Sequence, residues 1–163
     1  MKEQTCFFTG HRDIPPAELI QIRNNTYMLC RGLVEKMNIR RFVCGGALGF
    51  DMLAAQVVLR LKEQYPSVTL HLVLPCKDQA SRWSVRAQQN YRLILSSADS
   101  VEYVSEQYTP TCMHQRNRAM VDMSCCGIAF LRHMSGGTAY TVKYATGQDV
   151  KVYFVDRVAQ KEK

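Results

Sequence analysis

Short runs of β-branched, aliphatic and aromatic residues alternate with longer runs of helical periodicity along the whole chain. Residues 5–9, 41–44, 69–74, 100–104, 126–131 and 150–155 have the length and composition of strands. Residues 17–37, 51–65, 81–97, 112–124 and 137–146 bring apolar positions back every three or four residues, the spacing of a helix with one face on a sheet. Leu19, Ile22, Leu29, Leu33 and Met37 fall near one face of the first helix, and Met113, Asn117, Met120, Val121 and Ser124 near one face of the fourth. The runs Phe42-Val43-Cys44, Leu70 to Leu74 and Ile128 to Leu131 are almost continuously apolar, as in parallel strands covered on both faces. Such alternation predicts βαβ units and an α/β fold with a mainly parallel sheet. No linker, low-complexity tract or internal repeat interrupts it, and 163 residues suit one domain.

In sheets of this kind ligands bind beyond the carboxyl ends of the strands, so the following loops carry the chemistry. The strand 41–44 runs through Gly45-Gly46-Ala47-Leu48-Gly49-Phe50-Asp51 into a helix. Glycine there permits positive φ and close approach to a ligand, and the first helical N–H groups and the helix dipole favour an anion. Ser135-Gly136-Gly137-Thr138 opens a later helix in the same way, a second phosphate cradle. Thr9-Gly10-His11-Arg12 ends the first strand and offers either donors for phosphate and ribose oxygens or a tight turn with a solvated arginine. No Lys-Ser or Lys-Thr follows the first glycine turn, which excludes NTP hydrolysis of the P-loop type.

Asp51 has two readings: an N-cap for its helix, or a carboxylate that binds a sugar hydroxyl or acts as a base. Trp83, the one tryptophan, is either a stacking surface or a packing anchor. Asn117 falls on the apolar stripe and is expected to point inward, whereas Arg116 and Arg118 beside it are expected to be solvated. His71 is expected to be a satisfied histidine of the core or sheet edge.

The formal net charge of +7 suits either nucleic acid or a small anionic ligand beside a solvated basic surface. The strand-end loops hold Arg12, Lys77, Arg82, Arg86, Arg116, Arg118 and Arg132 against Asp13, Asp51, Asp78 and Glu106, seven cations to four anions, which favours an anionic ligand. No apolar run nears the roughly 20 residues of a membrane span, and Met1-Lys-Glu-Gln-Thr5 lacks a signal peptide's apolar segment. A soluble, cytoplasmic protein with no membrane association is expected. The seven cysteines show no C-x-x-C spacing and are expected to be reduced core thiols, with no metal bound. The apolar runs Leu53-Ala54-Ala55 and Val57-Val58-Leu59 mean deep burial or a homo-oligomer face.

Taken in order, Thr9 to Arg12, Gly45 to Asp51, Leu74-Pro75-Cys76, Arg116 to Asp122 and Gly136 to Val142 resemble the SLOG superfamily, in its YpsA/YoqJ-like branch, nearly end to end. The resemblance implies a Rossmann-like three-layer α/β/α sandwich, with residues 1–157 as one SLOG domain and 158–163 as a tail. It also implies a nucleotide-derived ligand of the ADP-ribose or NAD kind. By that analogy Gly45, Gly46, Gly49, Gly136, Gly137 and Thr138 contact phosphate, while Thr9, Gly10, His11, Arg12 and Asp51 line the same cleft. The wider superfamily includes cytokinin-activating phosphoribohydrolases and DprA/Smf proteins that bind single-stranded DNA. The phosphoribohydrolase pattern Pro-Gly-Gly-x-Gly-Thr-x-x-Glu has no acid here, where Thr141 stands. Relatives of the YpsA kind tend to carry an acid in the loop where this chain has Leu131-Arg132-His133, so Arg132 is expected to make the cleft more cationic.

Three functions compete on this reading. The first is a binding or sensing protein for a nucleotide-derived small molecule. The second is a hydrolase of an N-glycosidic or phosphoester bond, with Asp51 or His11 as base and Arg12 as anion stabiliser. The third, ranked last, is a single-stranded nucleic-acid binder, since the cations are scattered and no aromatics are arrayed with them.

Overall fold

The computed structural model describes residues 1–156. The expected tail, 158–163, and residue 157 before it lie outside the described residues.

Six strands, β1 (Thr5–Gly10), β2 (Arg41–Cys44), β3 (Thr69–Leu74), β4 (Ser100–Tyr103), β5 (Cys126–Phe130) and β6 (Lys151–Phe154), form one sheet in the order β4-β3-β2-β1-β5-β6. Every neighbouring pair is parallel. Five helices connect them: α1 (Leu19–Met37), α2 (Phe50–Gln64), α3 (Val85–Ser97), α4 (Cys112–Asp122) and α5 (Gly136–Gly147). The chain first steps outward from β1 to β4 and then returns to place β5 on the other side of β1. Crossovers of one hand that step in opposite directions must lie on opposite faces. Accordingly α1, α2 and α3 share one core with Phe8, Phe42 and Leu72, whereas α4 and α5 share another with Phe7, Val43 and Val73. Adjacent residues of a strand thus enter different cores, which is why the strands read as apolar without alternation. The fold is the expected Rossmann-like α/β/α sandwich.

Element ends differ from expectation where local polar groups intervene. A short 3-10 turn, Pro16–Glu18, precedes α1, because the two prolines set a turn before the helix can start. Helix α3 begins at Val85 and not near 81, since the Ser84 Oγ accepts the Ala87 N–H at 3.2 Å and caps it there. Leu53, Ala54, Ala55, Val57 and Val58 are buried within the chain, and α2 packs between α1 and α3. His71 bridges Ser100 and Thr69 through its two ring nitrogens at the β3–β4 ladder, a satisfied sheet histidine. All seven cysteines are free, six of them buried. No helix of the described residues is long and apolar enough to cross a membrane.

Gly127 of β5 lies beside Phe7 of β1, and a Cβ at Gly127 would meet that ring at 2.2 Å. Gly127→Ala should therefore destabilise the fold through overpacking, by about 1–3 kcal/mol. Urea denaturation at constant m-value measures it directly.

Candidate functional site

After β1 the chain turns toward one face of the sheet and after β5 toward the other, so a crevice opens between their carboxyl ends. A cleft of about 510 Å³ occupies that position. Thr9, Gly10, His11 and Arg12 line one side, Gly136, Gly137 and Thr138 another, and Asp51 is among the residues behind them. Helix α4 and the segment before it complete the walls with Tyr108, Met113, Arg116 and Asn117. Eight of the eleven residues singled out from the sequence thus meet in one place.

Gly45, Gly46 and Gly49 do not line the cleft. Their turn is used inside the protein. Gly49, at φ 81°, is the N-cap of α2, and the Arg12 carbonyl oxygen comes so close that a Cβ on Gly49 would lie 2.1 Å from it. The Phe50 N–H donates to the His11 carbonyl at 3.1 Å, so a group that an anion would need is already taken by the β1 loop. Behind Gly45, the Arg116 guanidinium donates from Nη1 to its carbonyl oxygen. A Cβ at Gly45 would stand 2.5 Å from that Nη1 and 2.9 Å from Asp51 Oδ2. Gly46 passes its carbonyl to the Gln79 Nε2 at 3.3 Å.

Asp51 is the second residue of α2 and does not cap it. Its Oδ2 accepts the Ala47 N–H at 3.2 Å and so closes the glycine turn instead. Burial pushes its carboxyl up to about 6, against the opposing pull of Arg116, the Ala47 N–H and Arg12. Arg116, expected in solvent, is 5% exposed. Besides Gly45 it donates from Nε to Asn117 Oδ1 at 2.7 Å, and its Nη2 lies 3.9 Å from the Met113 sulfur. Burial lowers its pKa while Asp51 works to raise it. The signal for Arg116 was present in its spacing, three residues after Met113 and four before Met120, on the buried face of α4. Asn117 points inward as expected.

The N-terminus of α5 is built differently. Gly136 has φ 85°, and a Cβ there would have nothing within 4 Å, so this turn faces open space. The N-cap, Ser135, makes no side-chain bond to the helix, and Ser135, Gly136, Gly137 and Thr138 all line the cleft. His11 holds the preceding turn in place: its Nε2 accepts the Arg132 N–H at 2.9 Å and the His133 N–H at 3.4 Å. The two imidazoles stack at 3.9 Å. Burial, His133 and Arg132 all lower the pKa of His11, which as an acceptor at Nε2 carries its proton on Nδ1.

Arg132 does not make the cleft more cationic. It turns away, pairing with Glu18 at 2.5 Å and Asp156 at 2.8 Å while lying over the Phe130 ring. Two carboxylates within reach draw a guanidinium into a charge-assisted fork and leave it no freedom to face a ligand. Arg12 is the contrasting case: it is exposed at the cleft mouth, and its side chain makes no hydrogen bond or ion pair among the described residues. Trp83 packs edge-on against Tyr91 at 5.1 Å and lines a neighbouring cavity.

Residues 19–161 match the sequence profile of the YspA SLOG family. The chain belongs to the YspA SLOG family. Among relatives of this SLOG chain, the uncharacterized SPbeta prophage-derived protein YoqJ of Bacillus subtilis (strain 168) is 28% identical over 139 residues, covering 78% of this chain and 81% of YoqJ. A UPF0398 protein of Bacillus pumilus (strain SAFR-032) is 28% identical over 120 residues, 65% of this chain and 64% of that one. Two solved structures share the SLOG fold seen here at 18% identity and TM-score 0.66: DNA processing protein A from Helicobacter pylori, described for its single-stranded DNA binding mode, and DprA from Streptococcus pneumoniae. They align with 94% and 92% of this chain, which spans 65% and 50% of their own lengths.

The buried Asp51 makes stability depend on pH in an unusual sense. Its folded pKa of about 6 lies above the ordinary 3.8, so between those values the folded state binds the proton more tightly than the unfolded state. Its contribution to stability is therefore lost as pH rises through that window, opposite to a salt-bridged surface carboxylate. Urea denaturation from pH 4 to 7 should show wild type losing stability relative to Asp51→Asn as pH rises.

Proposed function

We propose that this chain is a cytosolic binding or sensing protein for a phosphorylated, nucleotide-derived small molecule of the ADP-ribose or NAD kind. The observation that carries this reading is the open N-terminus of α5, Ser135 to Thr138, facing a cleft whose mouth holds the unpaired Arg12. Helical N–H groups and a free guanidinium are the donors a phosphate or diphosphate takes. Gly136, Gly137 and Thr138 hold the phosphate. Thr9, Gly10 and Arg12 face the sugar and second phosphate, and the 45–51 turn acts from behind by fixing the β1 loop. Family membership favours a nucleotide-related role, although fold alone does not assign one.

A hydrolase remains the second reading, favoured by Asp51. A carboxyl lifted to about 6 at the back of a ligand cleft has the proton affinity of a general acid or base. The fold shared with DNA processing protein A favours the third reading, a single-stranded nucleic-acid binder.

Titration calorimetry with ADP-ribose, NAD, ATP, a cyclic dinucleotide and oligothymidylate separates these readings. Saturable binding of a nucleotide at one site is expected, weakened at least about tenfold by Gly137→Asp, which sets a carboxylate in the anion position. The fold should tolerate that change, since a Cβ at Gly137 meets only the Asn117 Nδ2, at 3.7 Å. Binding of oligothymidylate alone, or nucleotide binding indifferent to Gly137→Asp, would overturn the assignment.

A further inference from the structure

The imidazole of His11 stands where the β1 loop meets the turn before α5, on a backbone held from both sides. The His11 N–H donates to the Phe130 carbonyl at 3.3 Å, and its carbonyl accepts the Phe50 N–H at 3.1 Å. From that fixed post Nε2 accepts the Arg132 and His133 N–H groups. The contacts then run on to the phosphate site. The His133 ring stacks on His11 within 7° of parallel, and its Nδ1 lies 3.0 Å from the Oγ of Ser135, the N-cap of α5.

Only the neutral imidazole has an acceptor at Nε2. A second proton would set a ring N–H against two backbone N–H groups. Burial, His133 and Arg132 oppose that charge, and they prevail over Asp13, on the same loop, and Asp156, beyond β6, so the His11 pKa is lowered. Asp156 is in any case engaged by the Arg132 guanidinium at 2.8 Å, and so is Glu18 on the 3-10 turn before α1. Neutral His11 is thus the form that the surrounding groups favour.

Resting on the phosphate site above, we propose that His11 is its proton-controlled positioning residue. When neutral, it holds the turn so that residues 135–138 keep their place on the cleft wall; when protonated, it releases the turn and the site loses affinity for its anion. Charge alone would give the opposite direction, since an imidazolium in the cleft attracts phosphate. In a cleft open to solvent that attraction is screened, whereas the two backbone hydrogen bonds are lost outright.

Hydrogen exchange tests the pin without any ligand. Across pH 8 to 5, with intrinsic rates divided out, the Arg132 and His133 amides of wild type should lose protection with the midpoint of the His11 imidazole, followed by its ring nitrogens. Protection that is indifferent to that midpoint would overturn the proposal, and this arm needs no variant to fold. Calorimetry with ADP-ribose, whose diphosphate does not titrate between pH 5 and 8, tests the linkage against His11→Gln, whose amide oxygen accepts hydrogen bonds and takes up no proton there. With each protein referred to its own affinity at pH 7.5, wild type should be at least about threefold weaker than His11→Gln at pH 5. The titration of Asp51 is common to both proteins and cancels. Equal pH profiles, or a wild type that gains affinity on acidification relative to His11→Gln, would overturn the switch and leave the phosphate site standing. No binding of ADP-ribose at any pH would overturn the phosphate site and the linkage together, while the exchange data still decide the pin.

Discussion

The buried guanidinium of Arg116 ties this structure together at the carboxyl edge of the sheet. It reaches from α4, on one face of the sheet, to the carbonyl of Gly45 at the end of β2, and faces the carboxylate of Asp51 on α2. Two layers are thereby joined across the strand ends, where no sheet hydrogen bonds exist to hold them. Such a pair has little net worth against a well-packed apolar substitute, yet removing one partner strands the other in a low-dielectric site. The pKa values of both groups are displaced toward neutrality by burial, as expected when desolvation outweighs mutual attraction. Gly45 is needed because these two side chains occupy the space a Cβ would fill.

From that tie follows a division of labour between two similar glycine turns. The turn of residues 45–49 is packed from behind by Arg116, from below by Asp51 and from the side by the Arg12 carbonyl, so it serves as scaffold. By fixing the His11 and Arg12 backbone, it sets the height of the β1 loop over the sheet. The His11 imidazole then pins the turn before α5 through two backbone N–H groups. The α5 N-terminus is left open as the surface that faces solvent. Two turns that look alike in composition differ because one has a guanidinium behind it and the other has a void in front.

Fold and layer order were legible in the sequence because parallel strands buried on both faces must be continuously apolar, and the helices between them must be one-sided. Phe7 and Phe8, adjacent in sequence and buried in separate cores, show that logic in two residues. The gathering of residues 9–12 with 136–138 was also legible, because strand-end loops converge at the switch point. Less legible were charges whose partners lie far along the chain. Arg132 looked like a cleft cation until Glu18, 114 residues away, and Asp156 were seen to bind it. Arg116 looked solvated by its charge alone, although its helical position placed it inward. Tyr108 carried no local signal at all, since its place on the cleft wall arises where distant loops meet.

On the proposed function, an anionic ligand is held by the α5 N-terminus while the 45–49 turn supports the site from behind. Amide chemical-shift mapping of the isotope-labelled protein during titration with ADP-ribose tests it most directly. The largest shifts should fall on the backbone N–H groups of residues 136–138 and on residues 9–12, with small shifts at 45–49. Largest shifts centred on 45–49, with 136–138 unmoved, would contradict it.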